Sequence, residues 1–480
     1  MAVYLAIDLG TTGCRSILFD ENLRQLGAAY EEYGLITPKE TWVEQDARLW
    51  WDMTLRTAKR AMEGAGIDPK TVDGISVSSQ GITIVPVDER LEPLCNAQSW
   101  LDNRGVAQAA QLEADWGREW MFAHTGKPID PCYTLPKLLW LQENEPELYN
   151  RAWKFLMPME YLIGKFTGNC VTDHSMASGT LMYDIANCCW SREVLERYNI
   201  PEDKLPAICW SGERAGVVLP EVARELGLRA DCVVAVGAQD QKCASLGAGL
   251  KEGIMTVSLG TAAAIIKQWD RPLTREHTKV AWCGNADAGT WVTEGVINTA
   301  GTCLRWVRDL MFPGESYDQI NREAEAARES GSSLLFHPYL SGPSAPDYYP
   351  QAQGNFYGVT LATGRGHFAL AGMEGVAFQL RVLLEAMDAY GNVEKLIFFG
   401  GGANSDLWCQ IISDVTGMEI AVTANPEAAG AGAAMLAARA VGQELPALEY
   451  ARTYVPQHDY EEKYRAFRSV ERRLWKEEIL

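Results

Sequence analysis

Short apolar runs alternate along this chain with longer stretches whose apolar positions repeat at helical spacing, the pattern of an α/β protein. Residues 3–8 and 15–20 are predicted strands joined by a turn at Gly10 to Gly13, and residues 75–79 and 83–87 form a second predicted pair. Between the pairs, residues 46–65 are predicted helical, with Asp46 as a cap and Leu49, Trp50, Met53 and Leu55 among the apolar positions. Residues 135–142 and 151–166 carry helical patterns as well. A buried-type strand at 232–236 then runs into Gly237-Ala238-Gln239-Asp240, and the small side chains from Cys243 to Ala248 predict a closely packed helix. The second half repeats the alternation, with residues 396–399 a buried strand leading into Gly400-Gly401-Gly402-Ala403. A chain of 480 residues exceeds what one hydrophobic core serves, so two domains of about 200 to 250 residues are expected. The break is placed near Gly247 to Gly253, giving residues 1–247 and 248–480.

Two segments far apart look like copies of one another: Leu5-Ala6-Ile7-Asp8-Leu9-Gly10-Thr11-Thr12 and Met255-Thr256-Val257-Ser258-Leu259-Gly260-Thr261-Ala262. A strand that ends in glycine and then hydroxyl residues makes a tight turn whose N–H groups and side-chain oxygens face an anion. Ordinary turns use the same residues, but two such turns facing each other would grip a polyphosphate, as a two-lobed ATPase of the actin and hexokinase kind requires. The copies differ where Asp8 stands against Ser258, so only the first carries a carboxylate able to hold Mg²⁺ through water.

Composition narrows the partners. A formal net charge of −20 repels a phosphate backbone and argues against nucleic-acid binding as the main activity. The twelve cysteines show no CxxC pairs and no His clusters at metal spacing, so neither a zinc site nor a disulfide framework is indicated. No leader pattern precedes Val3 and no uncharged apolar run reaches about 18 residues, so the expected setting is the cytoplasm without a membrane span. The usual nucleotide motifs are missing: Gly126-Lys127-Pro128 fails the P-loop pattern, and Gly247-x-Gly249 lacks the third glycine of a dinucleotide fingerprint.

Several spaced motifs in order give the chain a resemblance to the FGGY family of carbohydrate kinases. They are Asp8-x-Gly10-Thr11-Thr12 with Arg15, Trp42-Val43-Glu44-Gln45-Asp46, and Trp100-x-Asp102-x-Arg104. The segment Thr134 to Asn144 is similar to the family's first signature, and Gly354 to Val359 with His367-Phe368 and Ala371 to Glu374 resembles the second. The resemblance covers nearly the whole chain. It implies two ribonuclease-H-like domains with ATP and sugar in the cleft between them.

Phosphoryl transfer to an alcohol requires a positioned hydroxyl, removal of its proton and stabilisation of charge on the phosphoryl oxygens. Asp240, at the end of a buried strand, suits the proton's removal and equally suits a helix N-cap; the resemblance implies the catalytic base. It further implies Mg²⁺ at Asp8 and Asp240, and ATP phosphates at Thr11, Thr12 and Arg15, on Gly260-Thr261 and near Gly301. Gly401, Gly402 and Ala403 resemble the adenosine-binding segment, with Asn404 or Ser405 adding a polar contact. For the acceptor it implies Gln80, Gly81, Trp100, Asp102, Arg104, Asp240 and Gln241. In an extended segment Trp100, Asp102 and Arg104 would share one face and wall a pocket; a core tryptophan beside a surface ion pair is the alternative.

The chain departs from the family pattern around the acceptor. Gly81-Ile82 follows Gln80 where glycerol kinases carry Arg-Glu and xylulokinases Met-His, Cys132 opens the first signature, and Ser341-Gly342-Pro343-Ser344 lacks a Glu-Arg pair. The expectation is a sugar kinase acting on a ketose such as xylulose or a related polyol. An autoinducer-2, gluconate, ribulose or erythritol kinase is the alternative, and a non-catalytic sugar-binding protein the rival of another class. A small-molecule sugar and a homodimer are the partners the resemblance allows.

Overall fold

The computed structural model describes residues 2–275, 279–342, 345–347 and 351–475. The chain folds into two compact units, the first of Met1–Gly247, Trp269–Val292 and Glu427–Leu448, the second of Ala248–Gln268, Thr293–Pro426 and Glu449–Leu480. Pro343 and Ser344 of the expected specificity segment lie outside the described residues.

The first unit is built on a mixed sheet. Strand β1 (Val3–Leu9) pairs antiparallel with β2 (Gly13–Asp20), which pairs antiparallel with β3 (Gln25–Glu32). On its other side β1 pairs parallel with β4 (Val72–Ser79). Beyond β4 come β6 (Val233–Ala235), parallel to it, and β5 (Arg214–Val217), antiparallel to β6; the two-residue strand β7 (Ala238–Gln239) also runs parallel to β4. Central strands buried on both faces explain the unbroken apolar runs.

Helix α1 (Ala47–Ala65) begins where expected, with Asp46 accepting from the Arg48 amide at 3.0 Å and the left-handed Gly66 ending it. Trp50, Met53, Leu55, Ala58 and Met62 are buried, while Leu49 is turned to solvent, contrary to expectation. The helix expected over residues 151–166 is also corrected. Lys154–Leu156 is a strand paired with Val85–Val87, and the helix α3 (Pro158–Thr167) starts at Pro158, because proline suits the first helical turn and disfavours helix in the residue before it. Helix α2 (Thr134–Asn144) precedes it, and the short α4 (His174–Ala177) follows.

The small-residue helix after Asp240, α5 (Asp240–Ala248), packs against a partner that is far away in sequence, α9 (Ala428–Arg439). A Cβ on Gly432 would stand 1.9 Å from the Cys243 carbonyl oxygen, and one on Gly247 would stand 2.2 Å from that of Ala428. Backbones this close admit only glycine, and the contact returns residues 427–448 to the first unit.

The second unit repeats the hairpin and its parallel neighbour. Strand β8 (Ile254–Leu259) pairs antiparallel with β9 (Ala263–Trp269) and parallel with β11 (Lys395–Phe399). Outside these lie β10 (Trp291–Ile297) next to β9, and β12 (Glu419–Thr423) followed by β13 (Tyr450–Tyr454) beyond β11. Helices α6 (Gly301–Met311), α7 (Arg365–Ala386), α8 (Asp406–Thr416) and α10 (Glu461–Trp475) belong to it, as does the helix Tyr317–Glu329. Among the described residues no helix is long and apolar enough to cross a membrane.

Candidate active site

In the first unit Asp8 sits near the carboxyl end of β1, opposite Arg15 in the β1–β2 ladder and abreast of Ser78 on β4. Ser78 Oγ donates to the Asp8 carboxylate at 2.9 Å. Burial pushes the Asp8 carboxyl above the usual range; the Ser78 hydrogen bond opposes that, with smaller opposite effects from Glu427 and Arg15. Arg15 is ion-paired with Glu427. Asp8 is half-buried, and a carboxylate whose pKa is raised gains from a nearby cation, so Asp8 fits a Mg²⁺ ion. Among the described residues no cluster of three or more acidic, His or Cys ligands forms.

The strand register also brings Asp240 to this edge. Asp8 and Ala238 both pair with Ser78, so β1, β4 and β7 end side by side, and Asp240 lies two residues past Ala238 as the first residue of α5. The carboxyl ends of parallel strands are where α/β proteins bind ligands. Asp240 accepts from the Gln241 amide at 2.7 Å and from the Gln239 side chain. The Gln239 amide is fixed by Ser175 Oγ at 2.9 Å, and the Ser175 amide in turn by the buried Asp173 carboxylate. Gln241 keeps its Oε1 buried without a hydrogen-bond partner.

A closed ring of hydrogen bonds joins the first glycine turn to the expected acceptor side. Trp100 Nε1 donates to Thr11 Oγ1 at 2.9 Å and the Trp100 amide to Thr83 Oγ1 at 3.0 Å. Thr83 donates to Gln80 Oε1 at 3.3 Å, Gln80 Nε2 to Gln45 Oε1 at 2.8 Å, and Gln45 Nε2 back to the Thr11 carbonyl at 2.6 Å. Gln80 is buried in this ring, while Trp100 is 39% exposed. The adjoining Gly81 lies against Gln239, since a Cβ there would stand 3.3 Å from Gln239 Cγ.

The shared face expected of Trp100, Asp102 and Arg104 is corrected, because the segment is a turn closed by the Asp102 amide on the Ser99 carbonyl at 3.0 Å. Trp100 faces outward while Asp102 is fully buried. The Asp102 carboxylate accepts from the Val43 and Arg104 amides at 2.7 and 3.0 Å and from Arg104 Nε and Nη2 at 2.9 and 2.8 Å. Arg104 also binds Glu44 at 2.7 Å and lies 3.9 Å from the Trp42 ring centroid. The arrangement also inverts the alternative, with an exposed tryptophan beside a buried ion pair.

In the second unit the turn after β8 is stitched to the start of α6. The Gly301 amide donates to the Gly260 carbonyl at 2.9 Å, and the Ala300 and Thr302 amides to that of Thr261 at 3.1 and 3.2 Å. A Cβ on Gly301 would stand 2.4 Å from the Gly260 oxygen, so glycine is obligatory. Gly402 packs on Leu259, whereas a Cβ on Gly401 would meet open space, and Ala403 is buried. Ser405 caps α8, accepting from the Trp408 amide at 3.2 Å, and donates to Asn321 Oδ1. The hydroxyl expected to reach a nucleotide therefore has two protein partners.

Thr12 closes the first turn with its carbonyl, which accepts from Tyr33. Sequence reasoning assigned no role to Ser78, Thr83, Ser175, Asp173 or Glu427. Ser78 alone had a visible signal, a second strand ending in small polar residues just before Gln80 and Gly81.

The model of the FGGY family of carbohydrate kinases matches with its N-terminal domain at residues 3–247 and its C-terminal domain at residues 255–441. The xylulose kinase of Escherichia coli is 31% identical over 484 residues, 99% of each chain. The gluconokinase of Bacillus subtilis is 30% identical over 454 residues, 92% of this chain and 88% of its own. The crystal structure of a xyloylose kinase from Brucella ovis aligns with a TM-score of 0.91 at 30% identity, covering 98% of this chain and 99% of its own.

Proposed function

This chain belongs to the FGGY family of carbohydrate kinases, and we propose that its acceptor is a ketose of five or six carbons, xylulose foremost. It is a sugar kinase, and kinases of this family take the phosphoryl group from ATP. The observation that carries the reading is the ring through Thr11, Gln45, Gln80, Thr83 and Trp100, which fixes a phosphate-type turn and an exposed indole in one rigid unit.

Asp240 is the general base in this reading. It takes the proton of the acceptor hydroxyl while that oxygen bonds to the γ-phosphorus and the bond from the γ-phosphorus to the β–γ bridging oxygen breaks, releasing ADP. Gln239 and Gln241 hold its carboxylate, and Ser175 holds Gln239. Trp100 offers its face to the sugar, and Gly81, against Gln239, and Gln241, beside Asp240, line the acceptor side with it. Asp102 and Arg104 act as scaffold, because the Asp102 carboxylate and Arg104 Nε and Nη2 already have protein partners. Thr12, Arg15, Gly260, Thr261, Gly301 and the Gly401 to Ser405 segment belong to the nucleotide side. Asp8, with Asp240, would hold Mg²⁺, which when bound neutralises charge on the phosphates.

Gluconate is the second reading, favoured by the 30% identity to a gluconokinase. A coupled ADP-release assay with Mg-ATP against xylulose, ribulose, gluconate, xylitol, glycerol, erythritol and an autoinducer-2 precursor separates them. The expected result is turnover with a ketose that drops about 1,000-fold in Asp240→Asn, within the range for a lost general base. Turnover with gluconate alone overturns the ketose reading, and an unimpaired variant overturns the base.

A further inference from the structure

Lys137 is one of the largest fully buried side chains of the first unit, yet its ammonium forms no ion pair among the described residues. Its Nζ donates to two backbone carbonyls, Cys132 at 2.6 Å and Ile82 at 3.4 Å. Cys132 precedes α2, and Ile82 follows Gln80 and Gly81. The Ile82 carbonyl takes a second donor, Thr134 Oγ1, at 3.3 Å. Burying a lysine without a carboxylate is costly, and burial accordingly pushes the Lys137 ammonium down to about 7. Packing alone would be served better by leucine or methionine.

Ile82 is the reason a donor is needed. Its φ is +70°, in the left-handed region that a β-branched side chain avoids. Such strain persists only where the surroundings impose it, and it collects at ligand-binding loops. Here Gly179 closes on the Ile82 side chain, a Cβ there lying 3.1 Å from Cγ1, while Lys137 and Thr134 grip the carbonyl. On the amino-terminal side the Gln80 amide is held by the Leu9 carbonyl at 2.9 Å and its side chain by the ring.

We propose that Lys137 is a positioning residue for the acceptor loop, holding Ile82 in its left-handed conformation so that Gln80 and Gly81 keep the shape that receives the sugar. The proposal rests on the sugar-kinase reading of that loop. It assigns Lys137 no contact with substrate.

The test compares the wild type with Lys137→Met, Ile82→Gly and the double variant, using the acceptor the wild type turns over best. Lys137→Met should raise the sugar KM at least 10-fold and leave the ATP KM within 2-fold. Glycine takes positive φ unaided, so in the Ile82→Gly background the same substitution should cost less than 3-fold. If Lys137→Met does not fold, Thr134→Val removes the other donor to the same carbonyl and should give a smaller rise, about 3-fold, again in the sugar KM alone. Equal shifts in both KM values, no shift, or an undiminished penalty in the glycine background overturns the proposal. If the wild type phosphorylates nothing in the panel, the acceptor reading has failed, and amide exchange decides the anchor separately. Exchange at Gln80 and Thr83 at least 10-fold faster in Lys137→Met, with β1 and β4 unchanged, supports it, and unchanged exchange overturns it.

Discussion

In the first unit the strand before the glycine turn sets Asp8 opposite Arg15 and abreast of Ser78; in the second the same register positions set Ser258 opposite Ala264 and abreast of Phe399. The first turn has four residues between Leu9 and Cys14, and the second has three between Leu259 and Ala263. The first is braced by side chains, Gln45 and Trp100 on Thr11, and the second by backbone, the amides of Ala300, Gly301 and Thr302. One hairpin has become a charged, polar platform and the other a neutral backbone cradle. Under the proposed function the first hairpin would be the metal side, which needs a carboxylate beside hydroxyls, and the second the anion side, which needs a backbone turn with no side chain in the way.

Exchanging the distinguishing residues should break this contrast in graded steps. Asp8→Asn is expected to lower kcat with sugar by about 100- to 1,000-fold, the scale of removing one electrostatic group from a transferring site, while Ser258→Ala stays within about 3-fold. Titrating Mg²⁺ in both variants checks that the loss is confined to the first hairpin, and equal losses would sink the asymmetry. Next in size, Gly301→Ala must displace the Gly260 carbonyl. It should cost about 1–3 kcal/mol and raise the ATP KM, whereas Gly10→Ala, with its nearest contact at 3.7 Å, should be mild. Chemical denaturation and ATP kinetics on the two variants measure this.

Buried carboxyls sharpen the comparison further. Among the described residues Glu160 of the first unit has no cationic partner, and burial pushes it up to about 8, whereas Glu374 of the second, also raised by burial, is paired with Lys463. Between pH 4.5 and about 8 the folded chain holds the Glu160 proton and the unfolded chain does not, so this group's contribution to stability falls as pH rises through that window. Denaturant titrations at several pH values should show Glu160→Gln gaining on the wild type across it, by up to a few kcal/mol. The smallest effect concerns Arg15. Its ion pair with Glu427 is partly exposed, so Glu427→Gln should change stability by about 1 kcal/mol or less.

The strands, the helix after Asp46 and the paired Leu-Gly-Thr motifs were legible because each is written in a few adjacent residues. A period of two or of 3.6, a cap, or a glycine before hydroxyls acts locally. The misread pieces depended on neighbours. Residues 151–166 scored as one helix because the pairing of Lys154–Leu156 with Val85–Val87 is not visible in their own pattern. Leu49 faces solvent although its spacing suits a core position. Asp102 and Arg104 turn towards each other and Glu44 because a turn, and not an extended strand, carries them.

By itself the sequence determined that this is a two-part α/β protein with duplicated glycine turns, one of them bearing a carboxylate, since backbone propensity and side-chain chemistry are properties of the residues themselves. Tertiary structure alone decided which groups meet. The register of β1, β4 and β7 brings Asp8 and Asp240 to one sheet edge, the ring draws Gln45 and Gln80 to Thr11, and residues 427–448 return to the first unit through Gly247 and Gly432. Each is a contact between residues dozens to hundreds apart, set by packing and hydrogen-bond satisfaction in three dimensions.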